Sequence, residues 1–401
     1  MKNTMIKIIL SAIASVFIFS TANAETPKYS VTGSNYMEYA DMLTEGEKAM
    51  FANYPDTYVI NVYGNAVSCS IPEIISSISN NNGEMINDNE GVVLENSGQV
   101  PFPNPSHPQH WMWNARLGQG WYSNVEREQT ITNVDSVGTI TIGSQQTNII
   151  FPSHPDANEG YEDGLWALFM QKNTAPARAD GITTLVHDYI DSYANPRRAW
   201  QYSPATRRVR RAPNITYDTL TTASPLITVD QYGTFNGAQD KYNWTFKGTK
   251  KMLVVSGHNN AIGQSPIEET HTVHHLNPEH VKYYEADVAI VHGELKTGQR
   301  HLYGSRTFYI ATSDYSIVSQ DIYDGKGQLM RHMINTLSND IGGVAEDSCN
   351  TSGEFTFDFA TKTYAGNNLL GSGITTTPAN YGGEPKDASF YTPDGLRRYS
   401  R

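Results

Sequence analysis

From Trp121 onward apolar and polar positions take turns over short runs, the period-two pattern of strands with one buried face. Residues 130–133, 139–143 and 148–151 are rich in Ile and Thr, with Gly or Asn between them. Residues 166–171 and 183–190 bracket a loop at Ala175-Pro176. Residues 242–246 and 251–256 read as a hairpin around Lys247-Gly248-Thr249. A long meander covers 282–295, 300–310, 317–323 and 328–336, and its short turns make these runs antiparallel neighbours. Phe355, Phe357 and Phe359 alternate in a last strand.

Helical spacing is confined to the start of the chain. Met37, Ala40, Leu43, Ala49 and Met50 predict a helix over 36–54, stopped by Pro55. Residues 71–78, opening at Pro72, read as a shorter helix, and 110–114 as another after the proline-rich run 101–108. The class is therefore mainly β: one large antiparallel sheet with a few covering helices. So many twisted strands must curl, close or split into layers. A curled sheet leaves a hollow, and helices 36–54 and 110–114 are its expected lid. Residues 25–365 are expected to form a single domain, followed by an irregular tail over 366–401.

The stretch Pro196–Pro213 stands out by charge, with six arginines and no acid in a chain of net charge −12. It reads as two strands around Ser203-Pro204, good residues for the opening of a β-turn. A turn centred on Pro204 and Ala205 sets Trp200 opposite Val209, and Arg198 opposite Arg211. One face then holds Arg198, Trp200, Tyr202, Arg207, Val209 and Arg211; the other holds Arg197, Ala199, Gln201, Arg208 and Arg210. Like charges opposite one another call for an anion between them. That anion is either a carboxylate of the chain or a ligand head group, unless the run is simply a solvated face.

The first 24 residues read as an export signal: Lys2 and Lys7, an apolar run over 8–19, and Ala22-Asn23-Ala24 as the cleavage site. Cleavage after Ala24 leaves 27 basic and 41 acidic residues, a charge of −14. Bulk charge then excludes nucleic acid as a partner. The signal points to a bacterial periplasmic protein, an oxidising compartment in which Cys69 and Cys349 are expected to pair. Two separate buried thiols are the alternative.

The strings Tyr39–Phe51, Arg197–Pro213, Phe235-Asn-Gly237, His275-Leu-Asn-Pro278, Arg300-His-Leu-Tyr303 and Tyr323–Leu329 resemble a large proteobacterial family of unknown function. That family is described as outer-membrane lipoprotein-sorting-like and is related to the LolA/LolB carriers. The resemblance implies an incomplete antiparallel β-barrel wrapped around helices, an apolar cavity and a lipid-like or other hydrophobic cargo. It also implies RND-type inner-membrane exporters and outer-membrane β-barrel proteins as partners. It brings no catalytic residue and no cofactor. Trp111, Trp113 and Trp244, with the other tryptophans, are candidates for the cavity wall or for ordinary core. Arg198, Trp200, Tyr202, Arg207, Arg208, Arg210 and Arg211 are the candidate ligand contacts.

Two rival classes remain. A secreted hydrolase would need a nucleophile elbow or paired catalytic groups, and the chain carries no G-x-S-x-G, H-E-x-x-H, P-loop or C-x-x-C. His271, His274, His275 and His280 match no zinc spacing and read as a solvated loop rather than a metal site. The other rival is an envelope adaptor without cargo.

Overall fold

The computed structural model describes residues 25–65, 83–85, 92–94, 100–118, 123–152, 154, 157, 159–212, 217–255, 262, 265–338, 350–369, 380–381 and 383–401. The export signal, the expected helix over 71–78, Trp121, Cys69 and Cys349 lie outside them.

Strands β1 (Tyr29–Val31) and β2 (Ile60–Asn65) pair at the amino-terminal end. Among the described residues β3 (Gly83–Met85) and β4 (Val92–Leu94) pair only with each other. One antiparallel meander follows: β5 (Asn124–Val134), β6 (Ile140–Ile150), β7 (Leu165–Ala175), β8 (Thr183–Tyr189), β9 (Arg198–Ser203) and β10 (Arg208–Arg211). A second comprises β11 (Tyr242–Val254), β12 (Tyr283–Leu295), β13 (Ser305–Ala311), β14 (Ile317–Tyr323), β15 (Leu329–Ser338), β16 (Asn350–Asp358) and β17 (Thr363–Leu369). β17 pairs with β5 and joins the two into one sixteen-stranded sheet. β2 runs parallel beside β12, and β18 (Asn380–Tyr381) lies against β5. The sheet is open, and β10 is an edge strand.

Polar anchors show how far the sheet curls. Arg197, just before β9, donates to the backbone and side-chain oxygens of Asn236. Two residues away, the Thr234 N–H donates to Glu354 of β16, and its carbonyl accepts from Gln320 of β14. Eight strand spacings separate β14 from β9 in the sheet, roughly 38 Å if it were flat. Two residues of extended chain span only about 7 Å. The sheet must therefore wrap around residues 217–241, and the face they touch is its inner one.

Helix α1 (Glu45–Asn53) does not roof this hollow. The predicted 36–54 helix is two pieces, a 3₁₀ turn over Tyr36–Met42 and α1, which restarts in a capping box between Thr44 and Glu47. The Gly46 N–H donates to Asp321, whose side chain is on the opposite face of β14 from Gln320. So α1 sits on the outer face, over a core of Phe51, Ile334, Phe355, Phe357 and Tyr364. Helix α2 (Pro108–Leu117), begun by Pro108 at its first turn with His107 accepting from the Gln109 N–H, is the one inside. Met112 and Ala115 pack with Phe235, Ala289, Val291 and Phe308.

Three local expectations change. The two runs expected over 139–143 and 148–151 are one strand, β6 (Ile140–Ile150). The supposed hairpin over 242–256 is the continuous strand β11, with a bulge between Phe246 and Gly248 that Gly248 accommodates at φ +109°. The tail is not irregular throughout: β17 runs on to Leu369, and α3 (Pro393–Tyr399), capped by Thr392, packs on the outer face of β8, β9 and β10.

Candidate functional site

Between the inner face of β6–β9 and residues 217–241, the segment that crosses the inside of the sheet, lies a cavity of about 410 Å³. Strand pairing brings Gln145, Asn173, Gln171, Phe169, Thr184, Val186 and Gln201 to one face. Thr219, Leu220, Thr221, Thr222, Val229, Tyr232 and Asn236 close the other side. A smaller cavity of about 130 Å³ adjoins it and shares Phe169, Gln171, Tyr232 and Asn236. The surface facing the cavity is more apolar than polar, yet most of its lining residues carry an amide or a hydroxyl. A row of amides across three strands accounts for this. Gln129 donates to Gln145 (3.1 Å), Gln145 to Asn173 (2.8 Å), and Asn173 to Thr222 (3.2 Å). Tyr232 shares hydrogen bonds with Gln145 and Thr221, and desolvation pushes its phenol up to about 12, so it is a neutral group there.

The arginine hairpin borders this cavity in a register two residues from the expected one. Ser203 faces Arg208, Tyr202 faces Val209, Gln201 faces Arg210, and Trp200, not Arg198, faces Arg211. A four-residue loop makes the difference, closed by the Arg207 N–H donating to the Ser203 carbonyl, with Arg207 in the left-handed region at φ +53°. Because the shift is even, the two faces keep their membership. The face carrying Trp200 and Tyr202 is the outer one, covered by α3 with Tyr391, Leu396 and Phe390. The face carrying Gln201 and Arg210 is the inner one.

The six arginines divide sharply. Arg197 is buried and forms a two-pronged pair with Asp188, with Tyr217 over its guanidinium. Arg198 lies over the Tyr189 ring and 3.4 Å from Glu162. Arg207, Arg208, Arg210 and Arg211 are exposed and have no ion-pair partner among the described residues. Arg211, with Ala212, reaches the cavity lining.

None of the described tryptophans lines either cavity. Trp113 is fully buried with Phe102, Phe151 and Trp166. Trp111 stacks on Phe246, and Trp244 packs on Phe235 and donates its indole N–H to the Gln239 carbonyl. The histidine loop is less solvated than its sequence reads. His271 and His275 are buried and meet the hydroxyls of Thr132 and Thr57, and burial pushes His271 down to about 4.

The cavity residues that sequence reasoning missed are Gln145, Gln171, Asn173, Tyr232, Asn236 and the threonines of the crossing segment. The signal in sequence was weak: in β6 Gln145 and Thr147 alternate with Ser144, Gln146 and Asn148, so both faces are polar there, and in β7 Gln171 and Asn173 continue the face that carries Phe169.

The crossing segment itself is held by buried charge. Arg306 donates to Asp230, His301 lies 3.1 Å from the same carboxyl, and Thr228 donates to it. Burial pushes the Asp230 carboxyl up, but the Arg306 guanidinium and His301 outweigh it and hold the group well below the usual carboxylate range. Arg331 donates to the Leu226 carbonyl. Among the described residues no helix is long and apolar enough to cross a membrane.

A Vibrio parahaemolyticus domain described as outer-membrane lipoprotein-sorting has a similar fold, with a TM-score of 0.50 at 10% identity over 73% of this chain and 100% of that one. A crystal structure from Desulfovibrio piger aligns with a TM-score of 0.49 at 12% identity over 72% of this chain and 97% of that chain. An uncharacterized Pseudomonas aeruginosa protein is 33% identical over 323 residues, 79% of this chain and 70% of its own length. Residues 30–397 match the family described as protein of unknown function DUF1329, and the chain belongs to that family.

Proposed function

We propose that the protein is a periplasmic carrier holding one amphipathic cargo molecule in the hollow between β6–β9 and the crossing segment. The observation that carries this reading is the cavity of about 410 Å³, inside the range of about 300–1,000 Å³ typical of pockets that bury a small molecule. It sits inside an open curled sheet similar to that of a lipoprotein-sorting domain. The export signal expected over the first 24 residues supports the location. In this reading the cargo is handed between envelope components, an RND-type inner-membrane exporter and an outer-membrane β-barrel protein being the expected donor and acceptor. Phe169, Val186, Leu220 and Val229 contact the apolar part of the cargo, each buried methylene contributing about 0.8 kcal/mol, while the amide row holds its polar part.

The test is chemical. Mature protein recovered from the periplasm is analysed by native mass spectrometry and solvent extraction. A bound small molecule at close to one per chain is expected. Recovery of protein that is empty, and that takes up neither lysophospholipid nor fatty acid after delipidation, would remove the carrier reading.

A further inference from the structure

Which kind of cargo fits is legible from the charges around the hollow. The protein carries 41 acidic residues, yet among the described residues no acid lines the larger cavity. Its charged lining residues are Arg197 and Arg211. Arg197 is already neutralised by Asp188. Beyond Gln201, whose side chain lines the cavity, the next position across the sheet is Arg210 on the edge strand, and Arg208 follows on the same face. Arg208 and Arg210 thus place two cations on the inner face along the open side of the cavity, Arg211 reaches its lining from the end of β10, and Arg207 stands beside them in the turn. Close like charges without a counter-charge repel one another. Their unpaired state contrasts with Arg197 and Arg198 of the same hairpin, which each have a carboxylate.

We infer that the cargo is an anionic amphiphile, whose phosphate or carboxylate group is held at this edge by Arg208, Arg210 and Arg211 while its body occupies the amide-lined hollow. The inference rests on the carrier reading and adds the sign and the place of the cargo's charge. Guanidinium forks match anionic oxygens in geometry, and such charge-assisted bonds are about twice as strong as neutral ones. Strand β10 has no neighbour on its outer side among the described residues, so the head group meets an open rim while the tail is enclosed.

The experiment measures binding of three probes to delipidated full-length mature protein by calorimetry: lysophosphatidylglycerol, lysophosphatidylcholine and inorganic phosphate. Lysophosphatidylglycerol is expected to bind at least about tenfold more tightly than its zwitterionic counterpart, the discrimination one well-made charged contact supplies. The double variant Arg208→Gln/Arg210→Gln is expected to lose that preference, weakening lysophosphatidylglycerol more than lysophosphatidylcholine, whose phosphate is already balanced by its own choline. Raising salt on the unaltered protein should erode the preference in the same way, a readout that does not depend on any variant folding. Equal binding of the two lysolipids, or a preference that survives the double variant, overturns the inference and leaves the carrier reading standing. Phosphate alone binding as tightly as the anionic lysolipid also overturns it, because the site is then one for a free ion. Failure of both lysolipids to bind also overturns the inference, and it removes the carrier reading as well when the recovered protein is empty and fatty acid fails to bind.

Discussion

Glu47 shows what one buried carboxyl does to stability. It is fully enclosed between α1 and the sheet, where its side chain accepts from the Thr44 N–H and lies near Tyr283, Asp321 and His332. Desolvation is the largest influence and pushes the carboxyl up to about 7, against the opposing pull of His332 and of the Thr44 hydrogen bond. In the unfolded chain the same group titrates near its ordinary value of 4.5. Between those values the folded state holds a proton that the unfolded state has lost. Stability is then full below about pH 4.5, falls as pH rises toward 7, and is flat beyond. The shift amounts to on the order of 3 kcal/mol across the window. Glu47→Gln keeps the acceptor for Thr44 and removes the titration, so its unfolding free energy is expected to lose this slope between pH 5 and 7. Denaturant midpoints measured at half-unit pH steps check it; a variant slope equal to that of the unaltered protein rules Glu47 out as the source.

Elements were legible where one face is apolar and opaque where both faces carry information. Helix α2 was visible over 110–114, inside the observed Pro108–Leu117, and β13 to β16 from alternation against solid cores, whereas β17 was not foreseen. Strand β6 read as two because Ser144, Gln145, Gln146 and Thr147 resemble a turn; two of these side chains point to the amide-lined interior, where polarity marks a binding wall. Strand β11 read as a hairpin because Lys247-Gly248-Thr249 carries a bulge that mimics turn chemistry. The crossing segment left no trace, since it has neither helical nor strand period and its fixed shape comes from distant side chains. Of the candidate site, the arginine edge was visible and the cavity beside it was not. Helix α1 is a further case: Gly46 looks like a poor helix residue, yet a Cβ there would lie 2.1 Å from His332 Nδ1 and 2.4 Å from Asp321 Oδ1. Replacing it by Ala is therefore expected to destabilise the protein by about 1–3 kcal/mol, as overpacking does, in spite of the better helix propensity. Chemical unfolding of Gly46→Ala decides it, and a gain in stability would show that α1 is not seated as described.

At the scale of the whole molecule, the two meanders are wrapped around a strip of chain that belongs to neither. Residues 217–241 reach β5 through Asn133 and Ala223, β7 through Asn173 and Thr222, β13 through Arg306 and Asp230, and β15 through Arg331 and Leu226. These ties are hydrogen bonds and ion pairs out of water, so each is costly to leave half-made. The Arg306–Asp230 pair is the extreme case, with side chains 0% and 1% exposed. Removing the acid alone strands a guanidinium in the interior. Asp230→Ala is accordingly expected to cost about 3–5 kcal/mol, whereas Asp230→Ala with Arg306→Met costs less, because no orphan charge is left behind. The same strip is one wall of the cavity, so the single variant should also speed amide hydrogen exchange over residues 229–236 more than in the cores beneath α1 and α3. Global unfolding would raise exchange everywhere alike, which separates the two effects. A cost below about 1 kcal/mol, with exchange over 229–236 unchanged, would mean that this pair does not hold the strip in place, and that the wall of the cavity is fixed from its other ties to the sheet.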